Sequence, residues 1–465
     1  MAENTKISLN ISQVKQDIEQ LTAQAADINI VESRVGKVRC LVVSAEGLIS
    51  SQLMTEAVFS PLMRLGTLGL EGPKLFSKLI CGCLTTPDAN TADTYEELLE
   101  LVFAGFAAVI VEGVGKAAVF GVQGFEKRTV APPMNEQTVS AAQDCFVEAL
   151  RVNLSLIRRR LRTVKLRFDM MTVGELSRTD VCIAYIQGRA DNATVERIKA
   201  SLSRYGQDCV LTGEALQPYL SRSYSSSVFC SVMVTERPDL ACLSLSEGKI
   251  LVIVDGTPFV MLLPTVFADN FRTMDDYCRR PFFAAASKLL RYASFLLAVV
   301  FPGLYVALVM FHPEIFTLKL LLNLAAAEEA TPYPLTVEML TLMVLFEIMR
   351  EAGIRLPKAV GGAVSIVGGL IIGDAAVKSG LISQPLLIVV GITATASFVL
   401  PSLYPSVSVL RLVFILAGGT AGLLGIALVG AAVTTNLNCI KDHSVPYTLP
   451  LTPFDKEGFK RAAAR

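Results

Sequence analysis

Residues 412–440 read LVFILAGGTAGLLGIALVGAAVTTNLNCI, without one formal charge. A bilayer core about 30 Å thick takes about 20 apolar residues in helical form, so this stretch reads as one generous membrane span. Two further chargeless runs precede it. Residues 292–313, YASFLLAVVFPGLYVALVMFHP, fit one span, and residues 379–410 fit one span plus a Pro/Ser-rich connection. Around these runs, residues 281–440 hold 8 basic and 7 acidic residues, about 9% charged. The first 280 residues hold 29 basic and 32 acidic residues, about 22% charged, close to an ordinary soluble protein. The chain is therefore expected to be a membrane protein with a large soluble front end. Its averages over 465 residues, 52% hydrophobic and 18% charged, conceal that division. The 42 basic and 42 acidic residues cancel, which excludes a chain built to neutralise nucleic-acid phosphate. The mean hydropathy of +0.51 excludes intrinsic disorder.

The start, MAENTKISLNISQVKQDIEQ, has no apolar core of a secretory signal, so the front module is expected to stay cytoplasmic, with the first span as an internal start-transfer helix. Ten cysteines suit a reducing compartment. Cys81 and Cys83 are the only close pair and no C-x-x-C occurs, so neither zinc nor a redox motif is indicated. Buried unpaired thiols are expected instead.

Within the front module, VRCLVVSAEGLI at 38–49 reads as a strand closing at Gly47, followed by a helix; VCIAYIQGRADNATVERIKASL at 181–202 repeats that order around Gly188. AAVIVEG at 107–113 and ILVIVDG at 250–256 each precede a second apolar run, a hairpin signal. The fold class that follows is α/β for the front half, two similar α/β subdomains joined by a helix, and then an α-helical transmembrane bundle of about five spans. The expected division is a first subdomain at 1–135, a connecting helix and linker at 136–177, a second subdomain at 178–280, the transmembrane domain at 281–440 and a hydrophilic tail at 441–465. In the connector, Phe146, Leu150, Leu154, Ile157 and Leu161 share helical spacing. Arg158, Arg159, Arg160 and Arg162 crowd its end, either as a solvated helix terminus suited to the macrodipole or as a patch for a membrane surface or partner.

Glu112-Gly113-Val114-Gly115-Lys116 hints at a phosphate loop. A Walker loop needs G-x-x-x-x-G-K-[ST] ahead of a helix; here the spacing fails and Ala117 opens a strand. A hairpin turn is the expectation, as for Asp255-Gly256. His312 and His443 are read as loop residues. No catalytic residue, cofactor site or metal site is expected, and the chain is not read as an enzyme.

The spans are expected at 288–310, 334–350, 360–377, 385–400 and 410–436, with an amphipathic interfacial segment between the first two. Arg350, Arg355 and Lys358 fall on the cytoplasmic side after two crossings, as the positive-inside bias requires. Five crossings put Lys456, Lys460, Arg461 and Arg465 outside, against that bias; either one segment is re-entrant or the tail breaks the rule. Gly361, Gly362, Gly368, Gly369 and Gly373 in the third span, and Gly418, Gly419, Gly422, Gly425 and Gly430 in the last, are expected at close helix contacts. Asp374, Glu338, Glu347, Glu328 and Glu329 are the candidate ion-path or intramembrane polar residues, because a carboxylate in a bilayer is costly and functional by default. For Glu347 and Glu351, pairing with Arg350 and Arg355 is the favoured reading, and Lys378 lies four residues after Asp374.

Specific strings then matter. Thr235-Glu236-Arg237-Pro238-Asp239, Val254-Asp255-Gly256-Thr257-Pro258-Phe259, Asp276-Tyr277, Arg280-Pro281-Phe282-Phe283, Leu289-Leu290-Arg291-Tyr292 and Pro302-Gly303-Leu304-Tyr305-Val306-Ala307-Leu308 stand in order. Phe311-His312-Pro313-Glu314, Arg350-Glu351-Ala352-Gly353-Ile354-Arg355-Leu356-Pro357, Ala363-Val364-Ser365-Ile366-Val367-Gly368-Gly369, Val445-Pro446-Tyr447 and Pro450-Leu451 follow. Over about 235–452 the chain resembles the spore germination receptor A-subunit family (GerA family), including its sporulation-specific paralogues. Where that family commonly shows Gly-Pro-Arg and Gly-Phe, this chain has Ala141-Ala142-Gln143 and Asp144-Cys145-Phe146. The resemblance implies a multi-pass subunit in the inner membrane of the spore that homo-oligomerises into a germinant-gated cation channel. It further implies a transporter-like B subunit and a lipoprotein C subunit as partners. The alternative is a non-conducting scaffold that assembles the complex. The expected surroundings are membrane lipid, with no nucleic acid.

Overall fold

Where both alternate sets of side chains along a strand are apolar, the strand must be covered on both faces. That pattern organises the front of the chain in the computed structural model, which describes residues 5–23, 25–81, 89–124, 136, 138–225, 227–355 and 373–452. The strands are β1 (Ile28–Val35), β2 (Val38–Ala45), β3 (Ala89–Ala92), β4 (Phe106–Val111), β5 (Ala117–Gly121), β6 (Leu166–Val173), β7 (Thr179–Ile186), β8 (Met233–Thr235), β9 (Ile250–Val254) and β10 (Val260–Leu263). Helices of nine or more residues are α1 (Ile11–Thr22), α2 (Gly72–Cys81), α3 (Tyr95–Phe103), α4 (Leu150–Arg160), α5 (Asn192–Leu202), α6 (Pro238–Ser246), α7 (Pro281–Val299), α8 (Phe301–Phe311), α9 (Leu318–Glu329), α10 (Leu335–Arg355), α11 (Gln384–Phe398) and α12 (Tyr404–Cys439).

The chain divides into two units, Met1–Arg222 with Val232–Thr265, and Ser223–Ser231 with Val266–Arg465. The first unit holds two five-stranded antiparallel sheets, ordered β1-β2-β4-β5-β3 and β6-β7-β9-β10-β8. The two orders are the same permutation, so the module is one topology used twice. In the first sheet, Leu41, Val43, Ala108, Ile110 and Val119 face α1 and α3. Their neighbours Cys40, Val42, Val109 and Phe120 face α2 and the helical run 51–66. Both β2 and β7 end just before a left-handed glycine, Gly47 at φ +78 and Gly188 at φ +83, a conformation that favours glycine because it lacks Cβ. Helix starts are fixed by side-chain caps: Thr94 accepts from Glu97 N, and Asp191 from Ala193 N and Thr194 N.

The outer strands β1 and β6 each enter as the first arm of a hairpin. β6 begins at Leu166, inside the segment 136–177 expected to be connecting helix and linker. Alternating charged residues along Leu166–Val173 hide it as a strand. Gly113 turns β4 into β5, and Lys116 pairs with Asp93 at 3.1 Å, so the Gly-Lys string is a hairpin turn.

The arginine-rich end of α4 is neither a solvated terminus nor a docking patch at Arg158. Its guanidinium is 1% exposed and binds Asp27 through Nε at 2.7 Å and Nη2 at 2.9 Å. It lies between the rings of Phe103 and Phe168, 4.6 and 4.8 Å from their centroids, and so joins the two halves of the module. Arg160 pairs with Asp144. Buried Cys40 and Cys242 have thiols pushed up to about 12 by burial, which leaves them inert packing groups. Cys83 and the side chain of Cys81 lie outside the described residues.

The second unit begins at Val266, ahead of the expected boundary at 280. Phe267 and Phe271 pack on Phe295, Tyr292 and Tyr447, which ties 266–280 to the helices. Among the described residues, two stretches, Pro281–Val299 and Pro401–Cys439, are long and apolar enough to cross a membrane; α8 and α11 are shorter apolar helices. The expected spans therefore do not map one to one. Segment 288–310 is two helices parted at Val300, where Pro302 cannot donate a hydrogen bond back. The span expected at 334–350 lies in α10, and 385–400 corresponds to the 15-residue α11. Most of the span expected at 360–377 lies outside the described residues.

The span expected at 410–436 folds back on itself. Gly422 inside α12 has φ 59 and ψ −142. Beyond it, Gly425 presses against the carbonyl of Ala417, eight residues earlier. Straight, Ser406 and Asn436 would be about 45 Å apart. Instead, the adjacent residues Ser227 and Val228 reach both: Ser406 Oγ donates to Val228 O at 2.7 Å, and Ser227 Oγ lies 2.6 Å from Asn436 Oδ1. α12 is thus a helical hairpin, and the chain leaves it at the end where it entered. There Asp442 accepts from Ser223 Oγ at 2.7 Å and Ser231 Oγ at 2.5 Å, and Phe267 N donates to Tyr447 O at 2.8 Å.

Candidate functional site

In an apolar helical unit the groups that demand explanation are the buried polar ones. α10 carries a fully buried carboxylate, Glu338, and a partly buried one, Glu347. Its residue Glu347 faces one side of the first limb of α12, where Tyr404, Ser408 and Arg411 recur at helical spacing. The Glu347 carboxylate accepts from Tyr404 OH at 2.8 Å, Ser408 Oγ at 2.7 Å, Arg350 Nε at 3.1 Å and Arg411 Nη2. The Arg350 guanidinium also lies 3.9 Å from the centroid of the Tyr404 ring. Arg411 is fully buried, and its Nε and Nη1 have no hydrogen-bond partner among the described residues. A 450 Å³ cavity beside this cluster is lined by Val344, Glu347, Ile348, Arg350, Glu351 and Leu412. Glu351 pairs with Arg355 at 2.7 Å.

The second cluster gathers where three helix ends meet. Glu338, in the first turn of α10 and 2% exposed, accepts the backbone N–H of Ser383, the residue that starts α11. Its other oxygen, Oε2, has no partner among the described residues; nor do Ser383 Oγ and Glu328 Oε1, all three buried. Glu328 comes from the last turn of α9, within electrostatic reach of Glu338.

Of the acids singled out in the sequence, Glu338 and Glu328 thus come together, Glu347 belongs to a separate ion-pair cluster, and Glu329 is exposed. The side chain of Asp374 lies outside the described residues. So do Gly361, Gly362, Gly368 and Gly369, while Gly373 opens a short helix. The close helix contacts that the structure describes set Gly303 of α8 against the Phe414 carbonyl, Gly418 against the Gly303 carbonyl and Gly419 against Thr336 of α10, while Gly430 has no such neighbour among the described residues. Gly418 and Gly419 stand among the expected packing residues; Gly303 does not, being the lone glycine of its expected span. Arg411 was equally hidden, a single charge separating two apolar runs. Its spacing from Tyr404 and Ser408 was the available signal.

The family model described as "Bacillus/Clostridium GerA spore germination protein" matches residues 16–465. Among curated relatives, the chain is 32% identical over 464 residues to "Spore germination protein KA" of Bacillus subtilis (strain 168), covering 99% of this chain and 84% of that one. It is 31% identical over 461 residues to "Spore germination protein GerLA" of Bacillus cereus, covering 97% and 92%. It is 29% identical over 461 residues to "Uncharacterized membrane protein YfkQ" of Bacillus subtilis (strain 168), covering 98% and 89%. Among solved structures, the N-terminal domain of the A subunit of the Bacillus megaterium spore germinant receptor GerK3 aligns with 57% of this chain and 98% of that one, at 24% identity and a TM-score of 0.45.

Proposed function

The chain belongs to the GerA family of spore germination proteins, and from that premise we propose that it is a membrane-embedded A-type subunit of a germination receptor whose helical unit provides a cation path on oligomerisation. The observation that carries this reading is the inverted polarity of that unit. Leu289, Leu290, Leu296, Ile388, Phe398, Leu424 and Leu428 are exposed, while Glu338 and Arg411 are buried. A water-soluble bundle places such residues the other way round. Lipid around the exposed leucines and a polar interior supply the reason. The relative named a membrane protein, YfkQ, supports the same reading.

The hairpin of α12 bears on the tail. With entry and exit of the helical unit at one end, the number of crossings is even, and the tail returns to the side from which the first helix set out. A cytoplasmic front half in the spore's inner membrane then agrees with the basic residues of the tail. B-type and C-type subunits of the receptor complex are the partners that the family implies.

A second reading, a non-conducting scaffold, draws on the Glu347 cluster. There the carboxylate is consumed by Arg411, Arg350, Tyr404 and Ser408, as a structural ion pair would be. Reconstitution in vesicles separates the two. The proposal expects an oligomer that passes monovalent cations, with flux altered by Glu338→Ala. Ion-tight vesicles containing a monomeric protein would sink the channel reading and leave the scaffold.

A further inference from the structure

The three orphaned oxygens beside α11 have a common explanation. The hydroxyl oxygen of an N-cap serine normally accepts from a backbone N–H of its own helix, as that of Ser50 does from Leu53 N. Ser383 does not: it makes no side-chain cap bond. Instead its backbone N–H is taken by Glu338 Oε1, so the carboxylate of one helix caps another. Capping explains that one oxygen alone. Glu338 Oε2, Ser383 Oγ and Glu328 Oε1 remain buried without partners among the described residues, and Ser383 is 4% exposed. Each unsatisfied buried polar atom keeps its desolvation cost uncompensated by any hydrogen bond, and two neighbouring desolvated carboxylates repel each other.

One occupant answers both costs. We propose that Glu338, Glu328 and the Ser383 hydroxyl bind a partly dehydrated alkali-metal cation. The oxygens come from three elements: the last turn of α9, the first turn of α10 and the start of α11. The helices α9 and α10 both pack against α11, and Gly380 brings the chain just before α11 against the Ala330 carbonyl just after α9. Hard oxygen donors select alkali and alkaline-earth ions over soft-ligand metals. The donor set, two carboxylates and one hydroxyl, is small and favours a single charge. A divalent ion in an all-protein cage calls for more oxygen ligands. This assignment rests on the cation-path reading and gives it a specific resting place for the ion.

Equilibrium binding tests it on the full-length protein in detergent, where flux plays no part. Radiolabelled sodium or rubidium is titrated against a background of N-methyl-D-glucamine. Saturable binding of one ion per chain is expected, abolished by Glu338→Gln and weakened about tenfold or more by Ser383→Ala. Ser383→Ala removes only an unbonded hydroxyl and so keeps the test valid if Glu338→Gln misfolds. Glu314→Gln, at an exposed acid, retains binding. Absence of saturable binding of either ion overturns the site, as does binding that survives both Glu338→Gln and Ser383→Ala. Proton release on raising pH without ion uptake also overturns it, in favour of a proton shared between the carboxyls. Binding without vesicle flux keeps this site and removes the channel; flux without binding does the reverse.

Discussion

At the scale of single residues, Arg158 and Arg411 show two uses of buried charge, one paired with Asp27 and the other with Glu347. Arg158 is enclosed by Asp27, by two aromatic faces and by the carbonyls of Thr163 and Leu166. Removing one partner of a buried pair leaves the other uncompensated, at about 3–5 kcal/mol. Asp27→Ala is therefore expected to lower the local stability of the front module by that amount, read as faster hydrogen exchange across β1 and β6 in the full chain. Adding Arg158→Met to Asp27→Leu should recover most of the loss, because well-packed apolar groups replace such pairs at little cost. Unchanged exchange in Asp27→Ala would mean that the pair does not hold the joint. None of this is legible from the arginine run, since a pairing over 131 positions leaves no local mark. Glu347 with Arg350 is legible, being three apart on one helix; the addition of Arg411 is not.

At the scale of elements, glycines set the shape of the helical unit. Gly303 and Gly418 let α8 and α12 approach until backbone meets backbone, the contact that supplies helix attraction in lipid. Gly422 does something else. Its φ of 59 with ψ of −142 lies where only glycine rests without strain, and the Phe311 ring stands 3.1 Å from where a Cβ would sit. Gly422→Ala is expected to cost on the order of 1–3 kcal/mol and to open the hairpin. With Ser406→Cys and Asn436→Cys, a short bis-maleimide should close a loop within one chain, seen as a faster-migrating band, and Gly422→Ala should weaken that band. A straight helix never gives the band, so its absence in the parent chain would remove the hairpin. Periodicity cannot reveal this reversal: both limbs are uniformly apolar, so hydropathy runs through the bend unchanged.

At the scale of the whole molecule, the same strand permutation occurs twice in the front unit, and the helical unit begins and ends at one end. An impermeant maleimide is expected to label Cys278 and an engineered Ser444→Cys from the same side of sealed vesicles, with the other cysteines replaced. Labelling from opposite sides would require an odd number of crossings. Composition alone determined much of this protein: where charge falls from about 22% to about 9% along the chain, the α/β module gives way to apolar helices, and that is a local property of each segment. Gly-bounded apolar runs likewise determined the inner strands of both sheets, because burial on two faces leaves no other pattern. The outer strands β1 and β6, the joint through Arg158, the reversal at Gly422 and the meeting of Glu338 with Ser383 were decided only in three dimensions. Each depends on which distant groups become neighbours, and burial then makes their unmet hydrogen bonds and charges decisive.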